Sequence, residues 1–419
     1  MRKPHVLVTN VSELLAATQE RTNLAICVSG AIEKVPEVVL HPGVSLYGQD
    51  ASASIRFLHG SDGLRLTRDN RVEGLELVAD DDRRVICNDT GLDSLGTLKL
   101  KTLVVRGQVS LFAREAVRSG HVVVQGLDIR SADCRRYDER PKGFGVAVVQ
   151  GAFTLWNQNP DAGAIITADL VGLSAGRPGA PVIGSGIFVC GFSQKAANLH
   201  VSQLVTGAVY STAQIAAGVP DVISGGVFTV YGAQVGIVHN LGEVITYGQN
   251  DMVLDNWGIV DSWTAEEAIT SYGPSGIGFV NFGVLNDLVV KAPIQTFGQG
   301  SRGFNVYDGT LHRARFDRIV THADGAVGIQ VSKEIGSLIV ERGIETFGGV
   351  GQSLVKGVIM TLAATPLSIK PGGVAKSIRV SGGVISHGDG VQPIEVNGTI
   401  GTLEIEGELL AAGSGFTVL

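Results

Sequence analysis

Tyr247-Gly248, Tyr272-Gly273, Phe297-Gly298, His322-Ala323 and Phe347-Gly348 recur every 25 residues without drift. A period of this size marks a chain built from stacked structural repeats. Each pair follows a triplet rich in β-branched residues: Val244-Ile245-Thr246, Ile269-Thr270-Ser271, Ile294-Gln295-Thr296, Ile319-Val320-Thr321 and Ile344-Glu345-Thr346. A later copy, Val384-Ile385-Ser386-His387-Gly388, arrives after a repeat of different length. Two further short strands fit between these landmarks, as in Gly328-Ile329-Gln330-Val331 and Ile335-Gly336-Ser337-Leu338-Ile339-Val340. Apolar and polar residues alternate within them, which is strand periodicity, and Gly at the corners would penalise a helical repeat. Three short strands per turn predict a triangular coil.

One such turn cannot satisfy its own backbone groups or bury its own apolar face; the turns above and below do both. Equivalent side chains then line up as ladders. Tyr247, Tyr272, Phe297, His322 and Phe347 predict an aromatic column, with Thr246, Thr296, Thr321 and Thr346 as a hydroxyl column beside it. Asn240, Asn256 and Asn281 are expected to stack as amides at a corner. Upstream, Val38-Val39-Leu40, Ser54-Ile55-Arg56-Phe57, Leu64-Arg65-Leu66 and Val72-Glu73-Gly74-Leu75-Glu76-Leu77 read as strands broken by turns. The span of about residues 9–20 reads as a helix, with Thr9, Asn10 or Ser12 as N-cap, and a helix there would plug the open end of the coil.

That helix, followed by Ala25-Ile26-Cys27-Val28-Ser29-Gly30-Ala31-Ile32 and Pro42-Gly43-Val44-Ser45-Leu46-Tyr47-Gly48, resembles the opening of pectate-lyase-like parallel β-helix proteins. The resemblance is one of architecture over nearly the whole chain. It implies an all-β, single-stranded right-handed parallel β-helix, and a glycan groove on the outside of the coil. It carries over no catalytic residue. The paired-Asp and Gly-His-Gly signatures of polygalacturonases are missing, and Ser386-His387-Gly388-Asp389-Gly390 is a fragmentary echo. The Asp-Pro-His-Glu motif of alginate epimerases is absent, and Asp80-Asp81-Asp82 reads as a turn.

Charge narrows the ligand class. The chain has 40 acidic and 33 basic residues among 419, a net charge of −7, and no basic stripe of the kind that nucleic acid requires. No stretch is apolar enough to span a bilayer, and the basic start runs into Thr9, Asn10, Ser12 and Glu13 instead of a signal-peptide core. A cytoplasmic chain, or a mature form with a new Met, fits that start. Cys27, Cys87, Cys134 and Cys190 are widely spaced, with no metal-ligand spacing, so no metal and no cofactor are expected. The residues from Ser131 to Gly143 read as an excursion from the coil.

Candidate chemistry concentrates between Val238 and Glu267. Aligning Val238-His239-Asn240 with Leu254-Asp255-Asn256 would put His239 and Asp255 in one column on adjacent turns, about 5 Å apart. A carboxylate beside an imidazole can do acid–base work, and carboxylates across a groove can hydrolyse a glycoside. Asp255, His239, Asp251 and Asp261 are therefore the catalytic candidates. Trp257 and Trp263 are the sugar-stacking candidates, and Tyr307 and Arg315 complete the substrate-binding set, a guanidinium suiting a uronate. Ordinary solvated surface and corner packing account for the same residues.

The sequence thus predicts a single β-helix domain over 1–419, with its most regular turns over 233–413. The expected partner is a carbohydrate, and self-association as a homo-oligomer is left open. The expected function is a polysaccharide-acting hydrolase or lyase; the alternative is a non-catalytic structural or adhesin-like solenoid.

Overall fold

The structure, a computed structural model, describes residues 5–19, 24–355 and 357–412. Strand makes up 60% of the chain and helix 3%, and nearly all the strand pairing is parallel, which settles the class as a parallel β-helix. The chain divides into two compact units, Met1–Asp138 with Gln150–Gly207 and Val230–Val235, and Glu139–Val149 with Ala208–Thr229 and Gly236–Leu419.

In the first unit the helix Val11–Gln19 turns Leu14, Ala17 and Thr18 inward over the strands Ala31–Val35 and Val38–Val39. Asn10 is the cap: its Oδ1 accepts the Glu13 N–H at 3.0 Å, while the Glu13 carboxylate reaches back to the Thr9 N–H at 2.8 Å. The end of the expected helix, residue 20, lies outside the described residues. Beyond the cap, Arg71–Val78, Ser94–Arg106, Ser119–Ser131 and Ile165–Ala175 pair in register. Each of these long strands bends at a residue of left-handed backbone, namely Gly74, Thr102, Gly126 and Gly172, which oppose one another in the ladder. The bend therefore repeats from turn to turn and makes a continuous elbow. Arg84–Asn88, Gln108–Ala113, Gly151–Asn157 and Ser185–Cys190 form a second face.

The second unit carries the regular turns. The triplets Val244–Thr246, Ile269–Ser271, Ile294–Thr296, Ile319–Thr321 and Ile344–Thr346 stack residue on residue. So do Asp251–Asn256, Ile277–Asn281, Arg302–Val306 and Val327–Val331 on the second side. Ile259–Ala265, Val284–Val290, Thr310–Phe316 and Glu334–Val340 form the third. The corner between the first and second sides repeats a left-handed residue every 25 positions, at Asn250, Ser275, Gly300 and Gly325. The threonine column faces inward, with Thr246, Thr296, Thr321 and Thr346 fully buried. An antiparallel hairpin, Val350–Val355 with Val358–Ala363, is inserted after Phe347, and it is what delays the copy at Val384. Residue 413, the end of the expected regular region, lies outside the described residues.

All four cysteines are free, three of them buried. Burial pushes the Cys87 thiol up to about 12 and raises Cys134 and Cys190 as well, so these thiols pack as small apolar groups. Among the described residues, no helix is long and apolar enough to cross a membrane.

Candidate functional site

Asp251–Asn256 is buried on both of its faces, so one face packs inside the coil and the other is covered. Leu254 stacks over Phe279 and Phe304. Asp255 lies between Phe228 and Val280 in the adjoining turns. A two-stranded hairpin, Lys142–Gly143 with Val146–Val148, supplies part of the cover. Its tip, Phe144 at φ +51° and Gly145 at φ +85°, is a pair of left-handed residues, the conformation that tight hairpins need. Phenylalanine is costly there, and its ring is held by contacts with Trp257, centroids 5.1 Å apart, and Phe282, 4.5 Å apart. Gly143 is required for this approach, because a Cβ would fall 2.7 Å from the Trp257 ring.

Under that cover lies a narrow cavity of about 50 Å³, lined by Asp255, Trp257 and Tyr307 among others. Three of the eight residues singled out in the sequence therefore meet at one place. Asp255 is fully buried, and neither of its carboxyl oxygens completes a hydrogen bond. Burial pushes its carboxyl far above the usual range, and the neighbouring Trp257 indole offsets only part of this. Tyr307 stacks on Phe282 with centroids 5.2 Å apart.

The other five lie elsewhere. The expected register between His239 and Asp255 is not the one formed. Asn256 pairs with Thr229 and Asn281, whereas the Asn240 carbonyl accepts the Glu266 N–H. His239 is bonded to Glu266 at 2.7 Å, and Lys291 meets the same carboxylate oxygen at 2.9 Å. Together they hold Glu266 below its usual range, Lys291 contributing first. Trp263 is no exposed platform: it is fully buried, edge-on to Phe279, and its indole N–H donates to Asn240 Oδ1 at 2.8 Å. Asp251 is buried at a corner among hydrogen bonds from Ser224, Gly248 and Ala213. Asp261 is exposed and accepts from Asn286 at 3.3 Å, and Arg315 is exposed and paired with Glu341 at 2.8 Å. The Asn ladder is real for Asn256 and Asn281, joined at 2.8 Å, but Asn240 belongs to a different corner.

A feature not anticipated from the sequence lies along the elbow of the first unit. Two open concavities of about 740 and 680 Å³ share Tyr47 and Glu73. His5, Asp69, Arg71 and Lys99 line one, and Asp50, Glu76, Thr102 and Arg130 the other. The Tyr47 hydroxyl is 2.8 Å from His5 Nδ1. Glu73 is bonded to Arg71 and, at 3.0 Å, to Lys101. Burial raises its carboxyl, but Lys101 and Arg71 outweigh that and hold it ionised. The signal in the sequence was the glycine of Glu73-Gly74-Leu75, recurring in Gln125-Gly126-Leu127 and Val171-Gly172-Leu173, which marks the bend that makes the groove.

Among the described residues, no cluster of three or more His, Cys, Asp or Glu side chains is arranged to hold a metal ion. No family model matches this chain, and neither curated proteins nor solved structures give a match.

Proposed function

We propose that the chain is a carbohydrate-binding β-helix whose ligand lies along the elbow groove of the first unit. The observation that carries this reading is the pair of adjoining concavities sharing Tyr47 and Glu73. An extended sugar chain needs a long open trough, hydrogen-bonding groups in sequence along it and an aromatic surface to pack on. The trough offers Asp69, Arg71, Glu73 and Lys99 with Tyr47 between its halves. Arg71 and Lys99 suit the carboxylate of a uronate. Binding fits better than cleavage, because the carboxyl common to both concavities, Glu73, is held ionised by two cations and so is a poor proton donor.

Calorimetric titration of the chain with uronate-containing and neutral oligosaccharides, paired with an assay for newly released reducing ends, tests the reading. Binding without cleavage, weakened at least tenfold by Tyr47→Ala, is the expected result. The regular, ion-paired turns of the second unit favour a second reading, a non-catalytic structural solenoid. Absence of binding across the whole series would favour that one.

A further inference from the structure

Among the described residues, three side chains of the Asp, Glu, Lys and Arg class are fully buried: Asp251, Asp255 and Arg302. Two of them are satisfied. Asp251 accepts from Ser224, Gly248 and Ala213. The Arg302 guanidinium donates to Ser353 Oγ at 2.9 Å, to the Gly300 carbonyl at 3.3 Å and to Gln330 Oε1 at 3.5 Å. Neither Asp255 oxygen completes a hydrogen bond, the neighbouring donor being the Trp257 indole. A buried carboxyl left without partners is costly, and such a group calls for a specific explanation.

Its surroundings supply one. Phe144, Trp257, Phe282 and Tyr307 line the same cavity, and among the described residues no Glu, Lys, Arg or His does. Of the other polar side chains there, Asn250 donates to the Val219 and Val222 carbonyls and Ser275 Oγ accepts the Leu354 N–H, while the Trp257 indole and the Tyr307 phenol belong to the aromatic walls. Asp255 is thus the one carboxyl among the described residues of the lining, and neither of its oxygens completes a hydrogen bond. The negative faces of aromatic rings attract cations, and a carboxylate needs a donor or a positive charge. The ring faces would repel an anion, and an apolar group would leave the Asp255 oxygens unmet.

We propose that this cavity binds the ammonium end of a slim alkylamine, with Asp255 as counter-ion and the four aromatic side chains as walls. About 50 Å³ admits a few water-sized groups, enough for an ammonium and one or two methylenes and too little for a bulky quaternary head. The stem has a way out, since an adjoining cleft of about 300 Å³ shares Pro220, Ser275, Leu354 and Gly357 with the cavity and carries Gln249 and Gln299. Without the cation, burial favours the neutral acid; with it, Asp255 gives its proton to solvent and takes the charged form. The proposal is independent of the carbohydrate reading, which concerns the other unit.

Calorimetry and thermal-shift measurements on the full chain test it with n-butylammonium, its uncharged counterpart n-butanol, tetramethylammonium and Nα-acetyl-lysine amide. The expected result is saturable binding of butylammonium, at least tenfold weaker binding of butanol and tetramethylammonium, and at least tenfold loss in Asp255→Asn. Tighter binding of the lysine amide than of butylammonium would assign the site to lysine side chains instead of free amines. Because Asn preserves shape and is neutral, as the buried acid is in the free chain, that variant is expected to melt no lower than the parent. Should it not fold, the comparison of butylammonium with butanol on the parent still decides. Butanol binding as well as butylammonium, no binding of either amine, or unchanged affinity in Asp255→Asn would overturn the assignment.

Discussion

Phe297 and His322 lie face to face on successive turns, with ring centroids 4.3 Å apart and planes within 1° of parallel. The stack extends to Tyr272 and Tyr247 on one side, at 5.0 and 5.5 Å, and to Phe347 and His387 on the other, at 5.4 and 4.4 Å. It runs along the outside of the coil: Phe297 is 38% exposed and Phe347 44%. The ring faces are spent on one another and only edges meet water. A sugar packs on a ring face, so the column is a brace and not a binding platform.

Phe297→Ala removes two stacked contacts, each worth about 0.5–1.5 kcal/mol, and is expected to cost about 1–3 kcal/mol in urea unfolding. Phe297→Asp should cost little more, because a half-exposed carboxylate stays hydrated at this position. An Asp variant several kcal/mol worse than the Ala variant would mean that the column is buried.

The amide ladder behaves differently because it is inside. Asn256 Nδ2 donates to Asn281 Oδ1 at 2.8 Å, and Asn256 Oδ1 accepts from Thr229 Oγ1 at 2.8 Å and from the Gly258 N–H at 3.1 Å. Both amides are fully buried. Asn281→Ala strips the Asn256 amide of its nearer acceptor, leaving it the Val284 carbonyl at 3.4 Å, while the Gly283 carbonyl, which accepts from Asn281 at 3.0 Å, keeps the Thr310 N–H. With about 1–3 kcal/mol for a buried polar group left poorly satisfied, a loss of about 1–3 kcal/mol is expected. Asn286→Ala, whose amide makes an exposed bond to Asp261, should cost well under 1 kcal/mol. Equal effects would remove the ladder from the account of stability.

Arg71 and Arg315 both suit a uronate by chemistry, but they differ in placement. Arg71 lines the elbow groove, whereas Arg315 is held by Glu341 on an exposed strand of the second unit. Arg71→Ala is expected to weaken oligo-uronate binding about tenfold while sparing neutral oligosaccharides, and Arg315→Ala to leave both unchanged. The reverse pattern in a titration would move the ligand to the second unit.

The period of the chain was legible because turns of fixed length repeat the same corner residues. The triplets, the aromatic column and the threonine column all follow from it, and all stack as the spacing predicts. The register of His239 against Asp255 failed for a physical reason. Asn240 ends the strand Ala233–Asn240, and Asn256 ends the strand Asp251–Asn256, so similar amides close two different corners. The period itself separates them: 25 residues beyond Asn256 stands Asn281, and 25 beyond Asn240 stands Ala265. The Asp255 cavity was partly legible, since Asp255, Trp257 and Tyr307 had been marked by residue type. Its cover was not, because Phe144 is brought over them by a hairpin whose strands carry no repeat pattern. The elbow groove was missed because a bend within a strand leaves only single glycines as its trace, and Thr102 stands in one of those places.

Asp251 gives the fold a dependence on pH whose direction can be stated. It is fully buried, and burial pushes its carboxyl up to about 6, against hydrogen bonds from Ser224 Oγ at 2.6 Å, the Gly248 N–H at 2.7 Å and the Ala213 N–H at 3.4 Å. The ordinary aspartate value is 3.8, so the folded chain holds this proton more tightly than the unfolded chain does. The stabilisation from the protonated form is therefore complete below about pH 4, declines as the pH rises, and is gone once the pH has passed through about 6. At about 1.4 kcal/mol for each pH unit between the two values, the span comes to about 3 kcal/mol. Asp251→Asn is neutral at every pH and has no proton to lose; its Oδ1 can accept the Gly248 N–H, while its amide nitrogen can only donate, with Ser224 Oγ as the acceptor. The difference in unfolding free energy between parent and Asp251→Asn, measured by urea at intervals from about pH 4 to about pH 7, should then shift steadily in favour of the variant. Taking that difference cancels the titration of every other group the two chains share. A difference that stays flat across this range would show that the Asp251 carboxyl is ionised in the folded chain at ordinary acidity, its hydrogen bonds having outweighed its burial.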